Sequence, residues 1–173
     1  MDLGTYVEHD GRPAVRFVRT YPHPIERVWA AVTDPDELSH WFPSRAEIEL
    51  HIGGTVTFSG DPNTDDTKGT ILVCQPPQRL AFTWGEDELH FELEPVGSGH
   101  CRLTLTNVLH EGNTAARNAA GWTVCLSELD KHLAGQHSDG PHSADAAPFQ
   151  PYYEAYLAAG MPSGAVIPSM PNR

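Results

Sequence analysis

"NAAGWTVCLSELDKHL", residues 118–133, changes character partway along. Its second half places Trp122, Leu126, Leu129 and Leu133 at offsets of 0, 4, 7 and 11, one apolar stripe of an α-helix. Its first half offers Ala119, Ala120 and Gly121, which fill little space against a core. Glycine inside a helix costs about 1 kcal/mol relative to alanine, so the spare end calls for a reason. The spacing predicts one long helix over roughly 112–134, bulky at one end and thin at the other.

The segments before it read as strands that need such a partner. "RLAFTW" (79–84) sets Leu80, Phe82 and Trp84 on one side, and "LHFELEP" (89–95) sets Leu89, Phe91 and Leu93 against His90, Glu92 and Glu94. "CRLTLTN" (101–107) does the same with Cys101, Leu103 and Leu105. "RAEIEL" (45–50) passes through Gly53-Gly54 into "TVTFS" (55–59), a hairpin signal, and "TILVCQ" (70–75) follows the polar loop 61–69. Short connections imply an antiparallel meander, and its apolar face must be buried against something. The long helix is the one large amphipathic partner on offer. The expected fold is α+β, a curved antiparallel sheet of about six to seven strands wrapped around it.

Further upstream, "AVRFVRTYP" (14–22) reads as the first strand. "HPIERVWAAVT" carries Ile25, Val28, Trp29 and Val32 on one helical face, with Pro24 at the opening. A second short helix starts at "DPDELSHWF". Asp34 suits its cap, Pro35 its first turn, and Glu37 completes an Asp-x-x-Glu capping box. These readings divide the chain into an N-terminal arm (1–13), a domain (14–134) and an extension (135–173). The extension holds six of the fifteen prolines and only four charged residues, so most of it should lie outside regular structure. "PFQPYYEAYLAAGM" (148–161) is its one candidate helix, short and aromatic.

Eleven basic residues against 23 acidic ones give a formal charge of −12, which disfavours nucleic acid or an anionic membrane as partner. Cys74, Cys101 and Cys125 sit in apolar stretches, without the spacing of a disulfide framework or zinc site. They read as small core residues in a reducing compartment. With neither a signal-peptide pattern nor 18 consecutive apolar residues, the expected location is the cytoplasm.

Several local motifs carry a resemblance. "YPHPIERVWAAVTDPDELSHWFP" is similar to the opening P-x-x-V-W and T-D-P-x-x-l-x-x-W segment of the START-like (birch-pollen-allergen-like) superfamily. "GGTVTF" resembles its glycine-turn strand, "QPPQRLAFTW" its P-P-x-R-L-x-x-T-W strand pair, and "GWTVCLSELDKHL" its G-W-x-x-x-L-x-x-L helix. The branch it looks most like is that of the homologues of the activator of heat-shock-protein-90 ATPase, over roughly residues 14–134. The resemblance implies the helix-grip fold. It also implies a role in holding a lipid, sterol, polyketide or other apolar molecule between sheet and helix. Chaperone activation and cyclase or aromatase chemistry are the other activities known on this fold.

What lies beneath the Ala/Gly half of the helix has two readings. Large strand residues could simply interdigitate with small helix residues, as cores do. Alternatively a cavity lies there, lined by aromatics and open to an apolar ligand. For the second, the candidate lining is Phe58, Phe82, Trp84, Phe91 and Leu103 from the strands, with Trp41 from the second short helix. Asn118 and Trp122 join them from the long helix. No catalytic residue is assigned, since no nucleophile or nucleotide-binding motif occurs; Arg117, Asn118, His51 and His110 are the polar groups weighed. His132, His137 and His142 are spaced by five, unlike a usual zinc pattern, so neither metal nor cofactor is expected. The expected function is binding of an apolar small molecule. The alternative is a protein-interaction module, a chaperone cofactor or a dimer. Its handle would be Tyr152, Tyr153, Tyr156 and Leu157, which could also dock on their own domain; a cyclase or hydrolase ranks third.

Overall fold

Asp10 and Gly11 both hold positive φ (48° and 81°), the combination that two-residue hairpin turns require. They fold β1 (Thr5–His9) onto β2 (Arg12–Tyr21), with His9 opposite Arg12. This computed structural model describes residues 3–167. From β2 the chain crosses through α1 (Ile25–Thr33) and α2 (Pro35–Leu38) to the far edge of the sheet. It then returns strand by strand through β3 (Arg45–Ile48), β4 (Thr55–Ser59), β5 (Thr67–Gln75), β6 (Arg79–Trp84), β7 (Asp87–Pro95) and β8 (Cys101–Val108). The spatial order is β1-β2-β8-β7-β6-β5-β4-β3, antiparallel throughout.

The sheet thus has eight strands, where the sequence reading gives about six to seven. The added strand is β1, within the segment read as an arm. It is mostly exposed and carries little apolar alternation, so the Asp-Gly turn was its main signal. The capping box is a second correction. Asp34 does accept from the Asp36 N–H at 2.9 Å, but Glu37 does not return to the cap. Its carboxylate is drawn instead to Arg27 and to His132 Nε2.

A 3₁₀ turn (Gly112–Thr114) leads into α3 (Ala115–Leu133), which lies on the inner sheet face. Phe17, Leu80, Phe82, Leu89, Phe91, Leu103 and Leu105 are buried there with Trp122, Leu126 and Leu129 of α3. The helical face bearing Ala116, Ala120 and Thr123 meets a different partner, α4 (Phe149–Ala158) with the residues after it. Ala116 N–H donates to Pro162 O at 2.9 Å. Thr123 gives its one hydroxyl proton to Ala119 O, so the Tyr156 phenol donates to Thr123 Oγ1 at 2.7 Å and accepts from Gly4 N–H at 2.8 Å. Ala116 and Thr123 are where the extension approaches closely, and Tyr156 is its buried anchor. The aromatic extension therefore docks on its own domain. No helix among the described residues is long and apolar enough to cross a membrane.

Candidate functional site

The period of two that buries Leu80 and Phe82 also turns Trp84 inward, and the same parity runs from Phe91 and Leu89 to Asp87 and from Leu105 to Asn107. Register puts Trp84 opposite Asp87 and Leu89 opposite Asn107. The inner face thus turns polar at one end, beside the first turns of α3. Asn107 is completely buried. Its Nδ2 donates to Asp87 Oδ2 at 3.1 Å and towards the carbonyls of Val108 and Glu88. Its Oδ1 accepts from Asn118 Nδ2 at 3.0 Å and from Trp122 Nε1 at 3.1 Å. Asn118 Nδ2 also reaches Asp87 Oδ2 at 3.3 Å, while Asp87 Oδ1 accepts the His110 N–H at 2.9 Å. Buried polar groups must be partnered, and here each fixes the orientation of the next.

Above this network lies a cavity of about 590 Å³. Trp84, Asp87, Asn118, Gly121, Trp122 and Cys125 form its wall on the domain; Pro43 and Asp61 border it from the loops, Thr67 from the start of β5, and Pro141, His142, Phe149 and Ile167 from the extension. A Cβ added at Gly121 would meet no atom within 4 Å, so the missing side chain opens directly onto empty space. The two indoles stand 5.2 Å apart between ring centroids. Full burial pushes the Cys125 thiol far above its ordinary range, with Asp61 and Glu128 adding to the rise. The shift is opposite to the lowering that activates a cysteine.

Of the residues expected to line a cavity, Trp84, Asn118 and Trp122 do so. Trp41, Phe58, Phe82, Phe91 and Leu103 lie in the core instead. Phe58, Phe82 and Phe91 pack ring to ring, Trp41 meets Phe91 edge-on at 6.2 Å, and the Trp41 indole N–H is spent on Ala31 O. Phe42, packed between Phe58 and Trp122, helps to fill the space. Arg117 reaches the cavity but is engaged through Nε with Asn118 Oδ1 and through Nη1 with Val166 O. His51 and His110 lie outside the cavity lining. Sequence reasoning missed Asp87 and Asn107, although the strand parity pointed to both.

A second cavity, about 640 Å³, lies on the other side of α3 against the end of β2. Its lining mixes hydroxyl and charged groups, among them Arg19, Tyr21, Ser127, Asp130 and Tyr152, with the apolar Val18, Pro22, Leu133 and Ala134. Tyr21 donates to Asp130 Oδ1 at 2.8 Å, and burial together with that carboxylate raises the phenol well above its ordinary range. Elsewhere, His137, Asp139 and Asp145 bring one ligand atom each within 4.8 Å, but all three are exposed. His132 instead stacks on His40, with ring centroids 4.5 Å apart.

An antiparallel sheet closed over one long helix, with two short helices after the first long strand, defines the helix-grip class of the START-like superfamily. Residues 22–134 match the sequence model of the family described as "Activator of Hsp90 ATPase homolog 1-like protein", and the chain belongs to that family. No functionally curated protein matches it. Among solved structures it is similar to CalU16 from Micromonospora echinospora, at 22% identity and TM-score 0.68, covering 91% of this chain and 96% of that one. A conserved protein of unknown function from Enterococcus faecalis, EF2215, aligns with TM-score 0.72 at 22% identity, covering 90% and 89%. The BPP1335 product of Bordetella parapertussis gives 0.64 at 28%, covering 91% and 89%. Residues 1–134 are about 77% of the 173-residue chain, so these likenesses reach into the extension as well.

Proposed function

We propose that this chain binds an apolar small molecule in the cavity beside Gly121. The observation that carries the reading is the cavity of about 590 Å³, walled by the paired indoles of Trp84 and Trp122 and ending on an oriented polar network. An apolar enclosure with a few placed polar groups is the usual form of a small-molecule site. Membership of a superfamily whose members hold apolar molecules supports the same reading. The second cavity is less suited to the role because hydroxyl and charged groups line much of it. The interaction-module alternative loses much of its handle, since Tyr156 is buried within the chain.

Native mass spectrometry of the chain purified from its own cells tests the proposal, followed by melting of the stripped protein against lipids and aromatics. A ligand at about 100 times its Kd stabilises by about 2.7 kcal/mol, a rise of roughly 5 to 10 °C for a chain of this size. A retained small molecule or such a rise is the expected result. Protein that is ligand-free in its native cells and unmoved by the whole panel would contradict it.

A further inference from the structure

We infer that the ligand of this cavity carries a cationic amine on its apolar body, received by Asp61 and Asp87 beside the indoles of Trp84 and Trp122. This rests on the binding reading above and adds the chemical class of the ligand. Among the described residues the wall sets two carboxylates, Asp61 and Asp87, against one guanidinium, Arg117. Asp87 is held by three N–H groups, all neutral amides, which orient a carboxylate but do not cancel its charge. Asp61 has a side chain only 10% exposed, and its Oδ1 accepts the Asn63 N–H at 2.8 Å. No basic side chain hydrogen-bonds to it among the described residues. His142 Nε2 stands 3.7 Å away, and its proton goes to Pro43 O at 2.8 Å.

The hydrogen-bond directions lead to the same class. Asn118 spends its Nδ2 on Asp87 and Asn107, and its Oδ1, which accepts from Arg117 Nε, keeps one further lone pair. Trp122 spends its indole N–H on Asn107, so what it can offer a ligand is its ring. Indole faces attract cations, by an amount that grows as water is excluded. Among the described residues Arg117 is the one Lys or Arg side chain on the wall, and it directs Nε and Nη1 to Asn118 and Val166. A carboxylate head would face two carboxylates, whereas an ammonium meets charge, acceptors and π faces together. The formal charge of −12 draws cations towards the molecule as a whole.

Three probes of one shape separate the possibilities: 2-(aminomethyl)naphthalene, 2-naphthylmethanol and 2-naphthoate, titrated calorimetrically into the full-length chain at pH 7 and low salt. The amine is expected to bind about tenfold more tightly than the alcohol, and the carboxylate more weakly than either. Asp61→Asn, whose amide oxygen still accepts from Asn63, should weaken the amine about fivefold and the alcohol less than twofold. Added 0.5 M NaCl should shrink the preference for the amine in the unaltered protein. If the alcohol binds and the amine binds no more tightly, or the carboxylate binds best, the inference is overturned and the binding reading stands. If no probe binds, the inference falls, and the native mass spectrum and melting panel above decide the binding reading separately.

Discussion

Asn118 Nδ2 donates to Asn107 Oδ1 across 3.0 Å, joining the first turn of α3 to the C-terminal end of β8. The same oxygen takes the Trp122 indole proton, so one buried amide sets the placement of two of the helix residues that face the cavity. Asn107→Ala strips the partner from two donors and from Asp87. The substitution is expected to lower the unfolding free energy by about 2 to 4 kcal/mol, read by urea denaturation followed through tryptophan fluorescence. A change below about 0.5 kcal/mol would mean that water replaces the network without loss.

Gly121 gives the second prediction. Its Cβ position is empty and it sits within a helix, so Gly121→Ala should stabilise by about 1 kcal/mol and leave the cavity open. Gly121→Phe should fold equally well and fill the cavity. Melting of both variants, with and without 2-naphthylmethanol, checks this: the probe should stabilise the alanine variant and not the phenylalanine one.

Tyr156 anchors the extension. Tyr156→Phe removes the donor to Thr123 and the acceptor of Gly4 N–H, an expected loss of about 1 to 3 kcal/mol. The chevron should show the loss mainly as faster unfolding if the extension docks after the rest of the fold has formed.

The alkaline limb of stability follows from two raised groups. Cys125 and Tyr21 hold their protons in the folded chain above the ordinary values of 9.0 and 10.0. Above those values the unfolded chain has released protons that the folded chain keeps, so high pH favours unfolding. Their stabilisation is complete below about pH 9 and is lost as pH climbs from there towards the raised folded values. Tyr21→Phe should flatten the fall above pH 10, and Cys125→Ser the part that begins near 9. Denaturation curves between pH 7 and 11 measure both.

Much of this was legible in the sequence where a residue pattern has one physical outcome. "TVTFS" and "RLAFTW" became β4 and β6 at the expected residues, because alternation over a one-sided core admits a single register. β1 escaped because a strand with little apolar alternation shows mainly through its turn, here Asp10-Gly11. The site was legible only in part. Parity states that Phe58, Phe82, Phe91 and Trp84 face inward, but not what faces them. Trp41 and Phe42, arriving from the turn after α2, filled the space around the three phenylalanines; the missing side chain at Gly121 left space beside Trp84. That outcome depends on the depth at which separate elements meet, which no single segment encodes.

The most direct measurement of the central claim is a ¹H–¹⁵N correlation spectrum of the full-length chain titrated with 2-naphthylmethanol. The account predicts that the largest shifts fall on the Gly121 amide and the Trp84 and Trp122 indole N–H groups. Shifts centred instead on Ser127, Leu133 and Tyr152, which line the second cavity, would contradict it, as would a spectrum that does not move.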